Sequence, residues 1–79
     1  MQARVLVTLR RGVLDPAGQA VRGGLNQLGF TEVKDARIGK VIEVELEDMP
    51  KDKAKARLEA MAKQLLANMV IEDFSVEIP

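Results

Sequence analysis

The groups in this chain that could do chemistry are carboxylates, amines and guanidiniums: 12 Asp plus Glu and 12 Lys plus Arg in 79 residues, with no His, Cys, Trp or Tyr. Without His or Cys there is no thiolate nucleophile, no Ser-His-Asp arrangement, no imidazole proton shuttle and no Cys/His zinc site. The only side-chain hydroxyls are Thr8, Thr31 and Ser75. Four places gather what remains. The first, Arg10-Arg11-Gly12-Val13-Leu14-Asp15-Pro16, puts two guanidiniums just before a helix start, where backbone N–H groups favour anions. A phosphate could sit there, or Asp15 could take the cap while the arginines stay solvated. Glu43, Glu45 and Glu47 share one face of a strand, but successive same-face residues lie about 7 Å apart, too far for all three to hold one small cation. Arg37, Gly39 and Lys40 offer bases at a turn. Asn68, Glu72 and Asp73 lie around the entry to the last strand.

The elements that must position these groups follow from periodicity. Ala3, Val5, Val7 and Leu9 alternate with Arg4, Leu6, Thr8 and Arg10, which specifies a strand ending at Arg11-Gly12. Asp15-Pro16 then pairs a capping side chain with a proline at the first helical position, and Ala17, Val21, Leu25 and Leu28 follow at helical spacing. Gly29, followed by Phe30, closes that helix. Gly23 and Gly24 inside it mark weakness or the close approach of another backbone. Thr31 to Ile38 is expected to be a second strand, with Val33 its anchor, turning at Gly39-Lys40 into a third from Val41 to Glu47. Pro50 begins a helix with the stripe Ala54, Leu58, Met61 and Leu65, joined by Ala62 and Leu66, and Asn68 is its expected C-terminal cap. A final strand is expected over Val70 to Ile78, with Phe74, Val76 and Ile78 on one face and Asp73, Ser75 and Glu77 on the other.

Strand, helix, strand, strand, helix, strand in one domain of residues 1–79 is the α+β, ferredoxin-like βαββαβ plait: an antiparallel sheet with two helices on one face. The other face is left open. If Leu6, Val41 and Ile71 project there, it carries an apolar patch mixed with carboxylates, and such patches mark interfaces. A core this small, with no disulfide or thiolate metal site, gains from a partner chain. The net charge of zero hides blocks: seven bases and three acids up to Ile42, four acids from Glu43 to Asp48, five bases and two acids from Lys51 to Lys63, then three acids. Patches of both signs suit protein partners. Two Phe are the only aromatics, so a base-stacking platform for nucleic acid is not expected. Neither a signal peptide nor a membrane span is expected. Two other plaits remain open at this point: a free-standing module binding a regulatory small molecule, and a phosphate-hydrolysing enzyme using Arg10 and Arg11. The second fits poorly, because RRGVLDP is not a glycine-rich cradle opening an Arg-bearing helix.

Four strings carry a resemblance. RRGVLDPAGQAV (residues 10–21), LGF (28–30), ARIGKVIEVELE (36–47) and LLANMVIEDFSVEI (65–78) resemble, in order and over nearly the whole chain, the small PurS subunit family of phosphoribosylformylglycinamidine synthase. Met69 stands where that family usually has Pro, Ala62 where it often has Cys, and Arg10 where Lys is common. The resemblance implies a cytoplasmic, non-catalytic subunit in purine biosynthesis. In that enzyme, formylglycinamide ribonucleotide is converted to its amidine with glutamine and ATP-Mg. The resemblance implies no cofactor on this chain, ATP and Mg being used by a large synthetase subunit, while a glutaminase subunit releases ammonia. It also implies a dimer or tetramer that bridges those two subunits and supports ammonia transfer, with no nucleic acid or membrane partner. Partner contacts are expected at Arg10, Gly12, Asp15, Pro16, Arg37, Gly39, Lys40, Asn68, Glu72 and Asp73. Arg37 and Lys40 stand out among them because a solvated turn needs neither, so replacing both with Ala is expected to spare folding.

Overall fold

A computed structural model describes residues 1–79. Strand β1 (Gln2–Leu9) leads through a loop to helix α1 (Pro16–Gln27). Strand β2 (Gly39–Glu45) and helix α2 (Lys51–Met61) follow, the helix continuing through a π-helical turn, Ala62–Leu66, before strand β3 (Glu72–Glu77). The sheet has the order β2-β1-β3, and both pairings are antiparallel. β1 is central because its alternation is the most apolar: Ala3, Val5 and Val7 are at most 2% exposed and cluster with Leu58 and Ala62. Ile42 and Val44 of β2, and Phe74 and Val76 of β3, flank that row half-buried. The α+β plait and its antiparallel sheet are thus as expected.

One expected strand is absent. Thr31 to Ile38 forms no ladder, and no hairpin turns at Gly39-Lys40; β2 pairs with β1 alone, Gly39 opposite Thr8 and Glu45 opposite Gln2. The segment's hydrogen bonds go elsewhere. Val33 N–H closes a turn onto the Phe30 carbonyl at 3.2 Å, Ala36 N–H donates to Asp35 Oδ1 at 2.9 Å, and Ile38 N–H is taken by Asp15. With Val33 as the clearest apolar anchor and no clean alternation around it, these bonds outcompete strand pairing. The outer edge of β2 is consequently unpaired.

The two helices differ in their relation to the sheet. Ala54, Leu58 and Ala62 are fully buried, so α2 and the π turn cover the inner face. Leu65, expected in the same stripe, is 84% exposed. The π turn, closed by Ala67 N–H on the Ala62 carbonyl at 2.8 Å, adds a residue to the turn and rotates Leu65 outward. The expected role of Asn68 also changes: Ala67 in extended conformation ends the helix, and β3 starts at Glu72 rather than Val70. No strand or helix packs along α1, and Gly18 is its one buried residue. The result is long and thin, 47 × 26 × 14 Å with a radius of gyration of 15.7 Å. A compact chain of this length would have about 12 Å. No helix is long and apolar enough to cross a membrane.

Candidate functional site

The ten expected contact residues gather at one end of the sheet, where β1 finishes and β2 and β3 begin. Arg10 N–H donates to the Ile71 carbonyl at 2.8 Å, carrying the β1–β3 pairing one step beyond the strand. Gly12 then turns the chain with φ of +91°, a left-handed conformation that a side chain would strain. The Arg10 guanidinium folds back over the start of β3, donating to the carbonyls of Met69 and, at 3.3 Å, Glu72. Asp73 Oδ1 lies 3.4 Å from its Nε. Both partners of that ion pair are well exposed, so it adds little; the carbonyl bonds are what place Arg10.

Asp15 is the pivot of the opposite side. It is 5% exposed, accepts from Gly18 N–H at 2.9 Å as the N-cap of α1, and accepts from Ile38 N–H at 2.8 Å with its other oxygen. Those donors, Ile38 foremost and Gly18 next, hold its carboxyl below the ordinary value against the opposing effect of burial, with the Arg37 charge helping. Pro16 occupies the first helical position, as expected. Gly18 is required by crowding, because a Cβ there would overlap the Ala36 carbonyl oxygen. Gly39 is required in the same way, since its Cβ would meet the Val7 carbonyl oxygen at 2.7 Å.

Arg37 sits on no hairpin tip. Its Nη2 donates to the carbonyls of Arg10 at 3.0 Å, Leu9 at 3.3 Å and Val13 at 3.4 Å, so it laces the β1–α1 loop while remaining exposed. Arg37 therefore has a use within the chain that a solvated turn would not give it. The Lys40 side chain has no hydrogen-bond or ion-pair partner; it shares a shallow cleft with Asp15, Ile38 and Glu72. On the far side Asn68 organises the entry to β3: its Oδ1 accepts from Val70 N–H at 3.1 Å, and its own N–H donates to Glu72 Oε1 at 2.7 Å. An Asx turn of this kind, rather than a helix cap, explains an asparagine here. A larger polar cleft of about 520 Å³ opens between the two sides, lined by Arg11, Gly12, Asp35, Arg37 and Asp73.

This geometry decides between several uses of the same residues. Arg10 is committed to β3, and the Asp15 carboxylate already fills the N-terminus of α1, so the pair Arg10 and Arg11 forms no phosphate cradle. On the open face, Arg4 lies opposite both Glu43 and Glu77, with its Nη2 3.1 Å from Glu77 Oε2. Glu45 lies farther along β2 and Glu47 beyond its end, and no three acidic side chains approach closely enough to hold a metal ion. Leu6 sits opposite Val41 and Ser75 on that face, whereas Ile71 belongs to the turn before β3. What the residue-by-residue reading missed is apolar: Leu14 at 74%, Leu28 at 76% and Phe30 at 50% exposure. The backbone at Gly29 and Phe30 closes α1 as expected, with Gly29 at φ +102° and Phe30 N–H on the Leu25 carbonyl at 3.0 Å, but the ring stays out. The near absence of charge in α1 was the available signal.

Comparison with known proteins places this arrangement. Residues 2–79 match the PurS family profile described as phosphoribosylformylglycinamidine (FGAM) synthase. The chain is 53% identical over 75 residues to the phosphoribosylformylglycinamidine synthase subunit PurS of Synechocystis sp., covering 95% of this chain and 75% of that one. It is 40% identical to the same subunit of Bacillus subtilis, covering 98% and 90%. Among solved structures it superposes on Methanocaldococcus jannaschii PurS with a TM-score of 0.86 at 39% identity, covering 96% of this chain and 92% of that one. A chain of the PurLQS structure from Thermotoga maritima matches with a TM-score of 0.86 at 32% identity, covering 96% and 93%.

Proposed function

The chain belongs to the PurS family, and from that premise we propose that it serves as the small, non-catalytic subunit of a phosphoribosylformylglycinamidine synthase complex in purine biosynthesis. In this reading it works in the cytoplasm, associates with itself, and bridges a glutaminase subunit and a large synthetase subunit so that ammonia passes between them. ATP and Mg act on the large subunit, and this chain binds no cofactor. The observation that carries the reading is the match, at a TM-score of 0.86 over nearly the full length of both chains, to a chain of the Thermotoga maritima PurLQS structure. Two features of the molecule agree with it. The chain has no His or Cys with which to hydrolyse glutamine. It also devotes its most elaborate hydrogen bonding to shaping a loop surface rather than a reaction centre.

Within that surface the ten residues divide by role. Arg10, Asp15, Arg37, Asn68 and Glu72 are held by internal bonds and fix the shape; Gly12, Pro16 and Gly39 satisfy the backbone; Lys40 and the outward carboxylate of Asp73 are the contacts we assign to partner chains. Reconstitution tests this. Glutamine-dependent amidine formation by the glutaminase and synthetase subunits should require this chain and should fall with Lys40→Glu while the melting temperature of the variant is unchanged. Equal glutamine-dependent turnover without the chain would overturn the subunit role; equal turnover with Lys40→Glu would overturn only the assignment of that contact.

A further inference from the structure

We propose that the polar cleft between the β1–α1 loop, the segment before β2 and the start of β3 binds a small zwitterion, an α-amino acid, with its carboxylate on Arg11 and Arg37 and its ammonium on Asp35 and Asp73. Such a site goes beyond the subunit role and does not rest on it. The cleft holds about 520 Å³, and small-molecule sites run from about 300 to 1,000 Å³. Leu9 is the one apolar residue of its lining, so the ligand is polar. Two guanidiniums and two carboxylates line it, yet no ion pair joins Arg11 or Arg37 to Asp35 or Asp73. Opposite charges set around one space without meeting across it are the complement of a ligand that carries both signs.

Each of the four groups keeps bonding capacity to spare. Arg11 stands at the tip of a turn closed by Val13 N–H on the Arg10 carbonyl at 3.1 Å, with Gly12 at φ +91°, and its guanidinium has no partner in the chain. Arg37 spends Nη2 on the carbonyls of Leu9, Arg10 and Val13, which anchors the guanidinium and leaves Nε and Nη1 for a carboxylate. Asp35 gives Oδ1 to Ala36 N–H at 2.9 Å, and Asp73 Oδ1 lies 3.4 Å from Arg10, so an oxygen of each remains for an ammonium. The mixture of signs excludes simpler ligands. A phosphate would bring its charge against Asp35 and Asp73, and a metal ion would meet two guanidiniums where no three acidic side chains converge. A carboxylate and an ammonium on one carbon satisfy both pairs through charge-assisted hydrogen bonds. Because the four side chains are exposed, each contact is weak, and the dissociation constant falls in the millimolar range. Asp73 is shared with the partner contact assigned above, whereas Arg11 and Asp35 serve the ligand alone.

Titration of the isotope-labelled full chain with L-glutamine at constant ionic strength tests the site, the probe being one whose side chain is polar and uncharged. Amide resonances of Arg11, Gly12, Asp35, Arg37 and Asp73 should shift together and saturate in the millimolar range, with Ala3 and Val44 unmoved. N-acetyl-L-glutamine, which lacks the ammonium, and L-glutaminamide, which lacks the carboxylate, should each bind about tenfold more weakly or worse. Arg11→Gln and Asp35→Asn should weaken L-glutamine binding to the same extent with unchanged circular dichroism spectra, since the Arg11 guanidinium has no partner in the chain and asparagine keeps an oxygen for Ala36 N–H. The absence of any saturable shift at these residues would overturn the proposal. So would equal binding of the acetylated amino acid, or tighter binding of inorganic phosphate, which would make the cleft a plain anion site.

Discussion

Helix α2 carries six charged residues among eleven and buries Ala54 and Leu58 completely, whereas α1 carries one charge among twelve and buries only Gly18. In α2 the sorting of side chains is complete within the chain: Leu58 joins Val5 and Val7 of β1 in the core, and the lysines face water. In α1 Leu25 is half-buried, but Val21 and Leu28 stay exposed. Both helices have regular starts, a proline at or beside the first turn in each, so local propensity does not explain the difference. The contrast teaches that α2 supplies the core of the monomer and that α1 adds almost nothing to it. It is sharpest where a change in one helix should alter the chain's own stability and the matching change in the other should not.

The largest expected effect belongs to α2. Leu58→Ala removes a fully buried side chain from the centre of the core and should cost about 2–5 kcal/mol in urea unfolding. Leu28→Ala, its counterpart at the end of α1, should leave the unfolding of dilute chain nearly unchanged, because the side chain is 76% exposed. Equal losses at the two positions would break the comparison. Next comes Gly18→Ala, in the first turn of α1. The added methyl would have to displace the Ala36 carbonyl oxygen, and overpacking of this kind costs about 1–3 kcal/mol. Thermal unfolding should show that loss.

The same contrast explains how far the fold and the site are legible in the residues alone. The central strand, both helices, the Asp15-Pro16 start and the Gly29 finish are legible because each is set by neighbours in sequence. The edge strand expected over Thr31 to Ile38 is not, because its fate is decided by Asp15, more than twenty residues away, which takes the Ile38 N–H. The outward turn of Leu65 depends on a π-helical turn that no apolar spacing announces. Among the contact residues, their convergence at one end of the sheet follows from the plait itself. The use of Arg37 as a lace across three carbonyls does not, because the side chain must cross to a loop far away in the chain. The exposed stripe of α1 is visible as spacing, but periodicity alone assigns such a stripe to the chain's own core.

A smaller effect belongs to the two glycines of α1. Neither would have any atom within 4 Å of an added Cβ, so Gly23→Ala and Gly24→Ala should each stabilise dilute chain by up to about 1 kcal/mol through helix propensity. A loss at either position in thermal unfolding would mean that α1 packs against its own chain after all, and would break the comparison with α2.

The smallest effect concerns the joint between the two regions. The Asp15 carboxylate is held below its ordinary value of 3.8, first by the Ile38 N–H and then by the Gly18 N–H, so folding favours its ionised form. The sign follows from linkage: the contribution is complete above the ordinary value and is lost as pH falls through the lower, folded value. Asp15→Asn keeps an oxygen for Gly18 N–H, and asparagine is a good cap, but its amide NH2 cannot accept from Ile38 N–H. The variant should therefore melt a few degrees lower than the parent at neutral pH, and the gap should close as acid protonates the parent. Hydrogen exchange should locate the loss at Ile38 and the first turn of α1, with Val5 and Leu58 unaffected. A uniform loss across the core would mean that α1 and the sheet are one cooperative unit, and the contrast between the two helices would fail at the residue that joins α1 to the sheet.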